Sequence, residues 1–212
     1  IRNEYFRVKE LLGKQLSRMD LFTYMDDEVY QLTITHSNEN PFKRYLEYLK
    51  ELNELTDEQE SFCQGLGKDF INLLESTSMS KVYKMPVLMA FYNHGNVRTK
   101  VTEMELLESW KEFFSTGTNW KDLDTGITYE EYCKISDKDH IKKIIQMPVK
   151  FLLKSGGGFF VKKEGVVLAL RDEMGEIVKN LVLAEQMKDV IEYRAMDYYR
   201  RRYKEQIKAY LR

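Results

Sequence analysis

Apolar residues recur at steps of three and four over most of this chain, the spacing of amphipathic helices. Residues 2–12 predict a helix with Tyr5, Val8, Leu11 and Leu12 inward, ended by Gly13. A short helix follows in residues 17–24, capped by Ser17 or Asp20. Residues 33–41 read as the first loop. Phe42, Tyr45, Leu46, Leu49 and Leu52 then make a helical stripe. Thr56-Asp57 caps a helix expected to run to Glu75, with Phe62, Leu66, Phe70, Leu73 and Leu74 inward.

The next helix is expected from Ser80, with Val82, Met85, Val87, Leu88, Met89 and Phe91 buried and His94-Gly95-Asn96 closing it. Residues 97–101 fit a short strand. Thr102-Glu103-Met104-Glu105 has the form of a capping box for a helix through Phe114. A loop anchored by Trp120 leads to helices around 129–135 and 138–145, then a short one with Pro148 in its first turn. Residues 159–170 read as two short runs about a Glu164-Gly165 turn, a β-hairpin. A final helix or helix pair starts at Arg171, with Gly175 or Asn180 as interruptions.

Near the end of the chain, Met196, Tyr199, Tyr203, Ile207 and Tyr210 form one apolar-aromatic stripe. Arg200, Lys204, Lys208 and Arg212 fall four apart beside it, with Arg201 and Arg202 adjacent. Such a helix could lie against phosphates while anchored to its own domain. Tyr and Arg together equally mark protein interfaces, so both partners stay open.

Composition narrows the class. The 212 residues carry 33 Lys and Arg against 34 Asp and Glu, for a net charge of −1, so nucleic-acid binding must come from charge segregated on one face. Few Gly and Pro favour a mostly helical fold. Cys63 and Cys133 are too far apart for a CxxC zinc site or a disulfide scaffold and fit a reducing, cytoplasmic setting. No apolar run approaches the roughly 20 residues of a membrane span. The polar start at Ile1 carries no secretory signature, and a chain beginning with Ile is expected to be a piece of a longer protein.

Candidate chemistry is thin. Gly156-Gly157-Gly158 lacks the following Gly-Lys-Ser/Thr and helix of a phosphate loop, and reads as a turn into the hairpin. His36, His94 and His140 have no ligand partners at metal spacing. Asp26-Asp27-Glu28 could hold a hard cation but fits helix capping and solvation better. Cys63 fits a core position better than a nucleophile. Short helices followed by a two-stranded hairpin give the element order of a winged helix. Lys162-Lys163 would form the basic wing tip, with Lys142, Lys143, Lys150 and Lys154 just before it.

Several segments resemble the C-terminal accessory region of large bacterial superfamily 2 (DEAD/DEAH-box-like) helicases, many tied to DNA restriction or phage defence. They are Leu16-Ser-Arg-Met-Asp-Leu-Phe22, Asn40-Pro-Phe-Lys-Arg-Tyr-Leu-Glu-Tyr-Leu-Lys-Glu-Leu52, residues 70–88, Asn119-Trp-Lys-Asp-Leu123, residues 159–170 and residues 192–203. Together they cover most of the chain in the expected order. The motor motifs, Gly-Lys-Thr/Ser and the Asp-Glu box, are absent. The resemblance therefore implies a non-catalytic module beside helicase motor domains in the same polypeptide, with ATP and magnesium belonging to those domains and no cofactor here.

The expected architecture is a mainly α fold: a helical portion (1–78), a winged-helix-like portion with one small β-hairpin (79–170), and a basic-aromatic C-terminal helix (171–212). Expected phosphate contacts are Lys162, Lys163, Arg200, Arg201, Lys204 and Lys208, with DNA favoured over RNA. A protein-interaction scaffold docking the motor on a partner subunit is the alternative.

Overall fold

The computed structural model describes residues 1–36 and 40–210, with side chains through Lys204. Mainly helical, the chain ends its described part in a long helix and divides into two compact units. The first unit combines residues 1–76 with residues from 185 onward, and the second is residues 77–184. The expected C-terminal portion is thus shared, its first residues falling with the second unit and the rest with the first.

Local signals set most helix starts. In the first unit, α1 (Arg2–Leu12) closes on Gly13 in the left-handed conformation. Ser17 caps α2 (Arg18–Tyr24) in a capping box with Asp20, and Asp26 caps α3 (Asp27–Thr35). The loop expected from residue 33 therefore begins later, because the chain stays helical through Thr35. A 3-10 turn, Pro41–Lys43, precedes α4 (Tyr45–Glu51). The single helix expected from Thr56 to Glu75 is two, α5 (Asp57–Phe62) and α6 (Leu66–Ser76). They are broken at Gly65, whose φ of 107° no helix accommodates.

The core of this unit is aromatic. Tyr5, Tyr30, Phe42, Tyr45 and Phe70 are fully buried, and Phe42 stacks on Tyr193 with centroids 4.5 Å apart. At its centre Arg18, wholly buried, pairs with buried Glu75 and with Asp189 at 3.0 Å. The guanidinium also donates to Gln186 Oε1 at 2.7 Å and lies 4.9 Å over the Tyr45 ring. Burial opposes the charge on Arg18, but Glu75 and Asp189 outweigh it and hold its pKa above the ordinary value.

The second unit begins with α7 (Lys84–Met89), shorter than the helix expected from Ser80. Strands β1 (Tyr92–Asn93) and β2 (Asn96–Val97) pair about His94-Gly95, so that turn closes a hairpin. Then come β3 (Lys100–Val101), α8 (Glu103–Ser115) capped by the Thr102–Glu105 box, and α9 (Tyr129–Lys134). Next are α10 (Asp137–Ile144), a π-helical turn Ile145–Val149, and α11 (Lys150–Ser155). These last three join end to end. Pro148 lies inside the joined helix and not in a first turn, and the wide π turn accommodates its missing N–H.

Finally, β4 (Phe160–Lys163) and β5 (Val166–Leu170) form the expected hairpin. β3 adds to its other edge, giving the antiparallel order β3-β5-β4. The order in this unit is thus a helix, a small hairpin, a strand, helices, and a second hairpin whose later strand lies between the other two of its sheet. Trp110, Phe114, Leu88, Phe91, Leu152, Phe160 and Leu168 are buried here.

The last helix, α12 (Leu181–Tyr210), starts where Asn180 Oδ1 accepts from Val182 N at 2.8 Å. Two 3-10 turns, Asp172–Met174 and Ile177–Lys179, occupy the stretch from Arg171.

Candidate nucleic-acid interface

The joined helix 137–155 runs directly into the β4–β5 hairpin. His140 and Ile144 pin its inner face. His140 is buried and its Nδ1 accepts the indole N–H of buried Trp110 on α8 at 3.2 Å. Burial, aided by Lys111 and Lys143, pushes the His140 pKa down, so the ring stays neutral and keeps that acceptor.

On the outer face Lys138, Lys142, Gln146, Lys150 and Lys154 recur at steps of four, and all five are exposed. The four lysines have no ion-pair partner among the described residues. Lys143 is different: its ammonium donates to the Leu123 carbonyl at 2.8 Å and pairs with Asp124 at 2.6 Å, tying down the Trp120 loop.

The hairpin tip follows from the glycine run. Gly156 is buried against the helix end, and a Cβ there would collide with the Leu152 carbonyl oxygen and the Phe160 ring. The run is therefore a shaped helix-to-strand turn. Lys162 and Lys163 are exposed on β4 beside the Glu164-Gly165 turn, and Lys163 pairs with Asp172.

In the first unit the basic helix is engaged with its own domain. Arg200 pairs with Asp27, and its guanidinium lies 3.9 Å over the Tyr30 ring and 5.0 Å over Phe22. Lys204 reaches the same carboxylate at 3.4 Å, and Arg201 pairs with Asp197 at 2.9 Å. The hydrogen bond and charge of Arg200 hold the Asp27 carboxyl below its ordinary pKa. The Asp26-Asp27-Glu28 cluster thus serves as a cap and an ion-pair partner. Lys208 lies outside the residues whose side chains are described.

Of the apolar stripe expected on this helix, Met196 and Tyr203 face outward and Tyr199 is half-buried, while Ile207 and Tyr210 lie outside the residues whose side chains are described. Met196 is 50% and Tyr203 65% exposed, whereas Met187, Val190, Ile191, Ala195 and Tyr198 are buried.

Among the described residues, each unit carries a depression beside these faces. In the second unit, Met79, Tyr83, Met147, Pro148 and Phe151 line a groove of about 200 Å³ with Ser78, Ser80, Lys81 and Lys84 at its polar side. In the first unit, a cleft of about 160 Å³ lies between Phe42, Glu75, Tyr193, Arg194 and Arg201. Burial lowers the pKa of Arg194, whose Nη1 donates to the Leu74 carbonyl at 2.7 Å.

Sequence reasoning noticed Lys142, Lys150 and Lys154 but left them out of the expected contact set, and it missed Lys138 and Gln146. The step of four was present in the sequence. Splitting the helix at Pro148 hid it. Among the described residues no helix is long and apolar enough to cross a membrane. No known family profile, curated protein or solved structure matches this chain.

Proposed function

We propose that this chain is a non-catalytic accessory module of a superfamily 2 helicase or restriction-type machine, which binds and positions DNA for motor domains in the same polypeptide. ATP and magnesium chemistry belongs to those domains, and the expected setting is cytoplasmic. The observation that carries the reading is the winged-helix order of elements together with the exposed lysine row on helix 137–155. Four lysines at one-turn spacing track a phosphate backbone, and Lys162 and Lys163 on the wing extend the track. Because Arg200, Arg201 and Lys204 already face carboxylates, the second unit supplies the main phosphate contacts.

The test is duplex binding as a function of salt. Each neutralised phosphate contributes about 0.9 to the slope of log affinity against log salt. Replacing Lys150, Lys154 and Lys162 with Gln should lower affinity at least about tenfold and flatten the slope by about two to three. Unmeasurable binding by the native chain at low salt defeats the reading. It would favour a scaffold that docks the motor on a partner subunit, for which the exposed Met196 and Tyr203 beside Arg201 offer an anchor surface.

A further inference from the structure

Helix 137–155 carries more than lysines on its outer side. Phe151 is 46% and Met147 41% exposed, one turn apart on a stripe adjoining Lys150 and Lys154. The same two side chains form one wall of the 200 Å³ groove, whose other side is the segment before α7. None of the groove's described lining residues is acidic.

Its polar side is built. Lys84, only 7% exposed, donates to Thr77 Oγ1 at 3.0 Å and to the Ser78 carbonyl at 2.8 Å, so it braces the segment carrying Ser80 and Lys81. Lys81 is half-buried at the rim. The result is a slot with a flat apolar wall, hydroxyls and positive charge, below the roughly 300 Å³ typical of sites for drug-sized ligands.

The geometry points to a binding slot for one unpaired nucleobase, with Phe151 as the stacking face and Lys81 and Lys150 taking the flanking phosphates. The inference rests on the DNA-binding reading above and sharpens it: the preferred ligand is a duplex with a single-stranded tail, such as a fork or an end. Every base presents a π-face, so stacking on Phe151 confers preference for unpaired structure without reading sequence. Charge complementarity selects this occupant, since an acidic polymer with planar rings matches both the lysines and the aromatic wall.

Three fluorescein-labelled DNAs test it by anisotropy: a blunt hairpin duplex, the same duplex with a five-nucleotide tail, and that tail made abasic so that only its phosphates remain. The native chain should bind the normal tail about tenfold tighter than either other DNA, within the range of one stacked base. Phe151→Ala and Phe151→Leu should both erase this preference while leaving blunt-duplex affinity within twofold. The leucine variant keeps an apolar side chain, so loss in both variants assigns the effect to the ring. Lys81→Gln should weaken tailed DNA about threefold more than blunt DNA.

Equal affinity for normal and abasic tails overturns the slot, as does a Phe151→Leu variant that keeps the full preference. Equal binding of blunt and tailed DNA defeats the slot alone. Failure to bind any of the three defeats the DNA-binding reading beneath it.

Discussion

The two units use positive charge in opposite ways. In the first, Arg18 is sealed in the core between Glu75 and Asp189, and Arg200 is clamped between Asp27 and the rings of Tyr30 and Phe22. In the second, Lys138, Lys142, Lys150 and Lys154 point into water along one helix. Side-chain chemistry explains the division. A guanidinium is planar and weakly hydrated, so it tolerates stacking and burial between carboxylates. An ammonium is a strongly hydrated point charge, so these four stay in water, whereas Lys84 goes inside with Thr77 Oγ1 and the Ser78 carbonyl accepting from it. The densest basic run in the chain, Arg200-Arg201-Arg202, is therefore architecture in large part, and the sparser lysine row is the available surface.

The largest effect that could break this contrast is at the core. Arg18→Met leaves Glu75 buried without its charge partner and should cost about 3–5 kcal/mol of stability in the first unit. Denaturant unfolding followed by circular dichroism measures it, and DNA affinity of the folded fraction should stay within twofold. A loss under about 1 kcal/mol would mean that the pair is solvated and the contrast between the units false.

A pH titration examines the second unit. The His140 pKa is depressed in the folded state, so the unfolded chain binds the extra proton first as pH falls. The stability from neutral His140 is full above about pH 6.5, its ordinary value, and is lost as pH drops through the lower folded value. Asp137 and Asp139 favour the charged ring and moderate the effect, while Lys111 and Lys143 oppose it. In a Trp120→Phe background, Trp110 emission and thermal midpoint should both fall between pH 7 and 5, and His140→Gln should flatten that profile. The carboxylates of the first unit respond elsewhere. Asp27, held down by Arg200, gives up its contribution only below the ordinary carboxylate range.

The smallest effect is the sharpest discriminator. Asp27→Asn removes the carboxylate facing Arg200 and Lys204, and because Asp27 is largely exposed it should cost under about 1 kcal/mol. DNA affinity should change by less than about twofold. A tenfold gain with a steeper salt dependence would instead make the terminal helix a phosphate contact that Asp27 restrains.

Helix starts were legible because their signals are local. Ser17, Thr56 and Thr102 each bond the backbone three residues on, and a reader of the sequence sees both partners. What depends on distant partners was not legible. The spacing of Met196, Tyr199 and Tyr203 reveals a stripe but not which side of the helix a neighbour covers, and burial chose the face of Met187 and Ile191. A strand was legible over 97–101, but not that its end, β3, pairs with β5 far along the chain. Asp27 and Arg200 are likewise remote in sequence, so no window along the chain could show the basic run neutralised. The wing, built from adjacent strands about one turn, lay within reach of pattern alone.

The way the first unit is assembled from two stretches of chain bears on how the protein is made. Arg18 N–H and Met19 N–H both donate to the Asp189 carboxylate, at 2.8 and 3.1 Å. A ribosome emits Arg18 long before Asp189, at roughly 5–20 residues per second. During that interval Arg18 can find Glu75 but not Asp189 or Gln186, and Phe42 lacks the Tyr193 ring that stacks on it. Residues 77–184 are contiguous and can mature as a unit while the earlier segment waits with its aromatic interior open. The waiting segment is thus the nascent chain's vulnerable stage, the one a holding chaperone would shelter until the closing helix emerges.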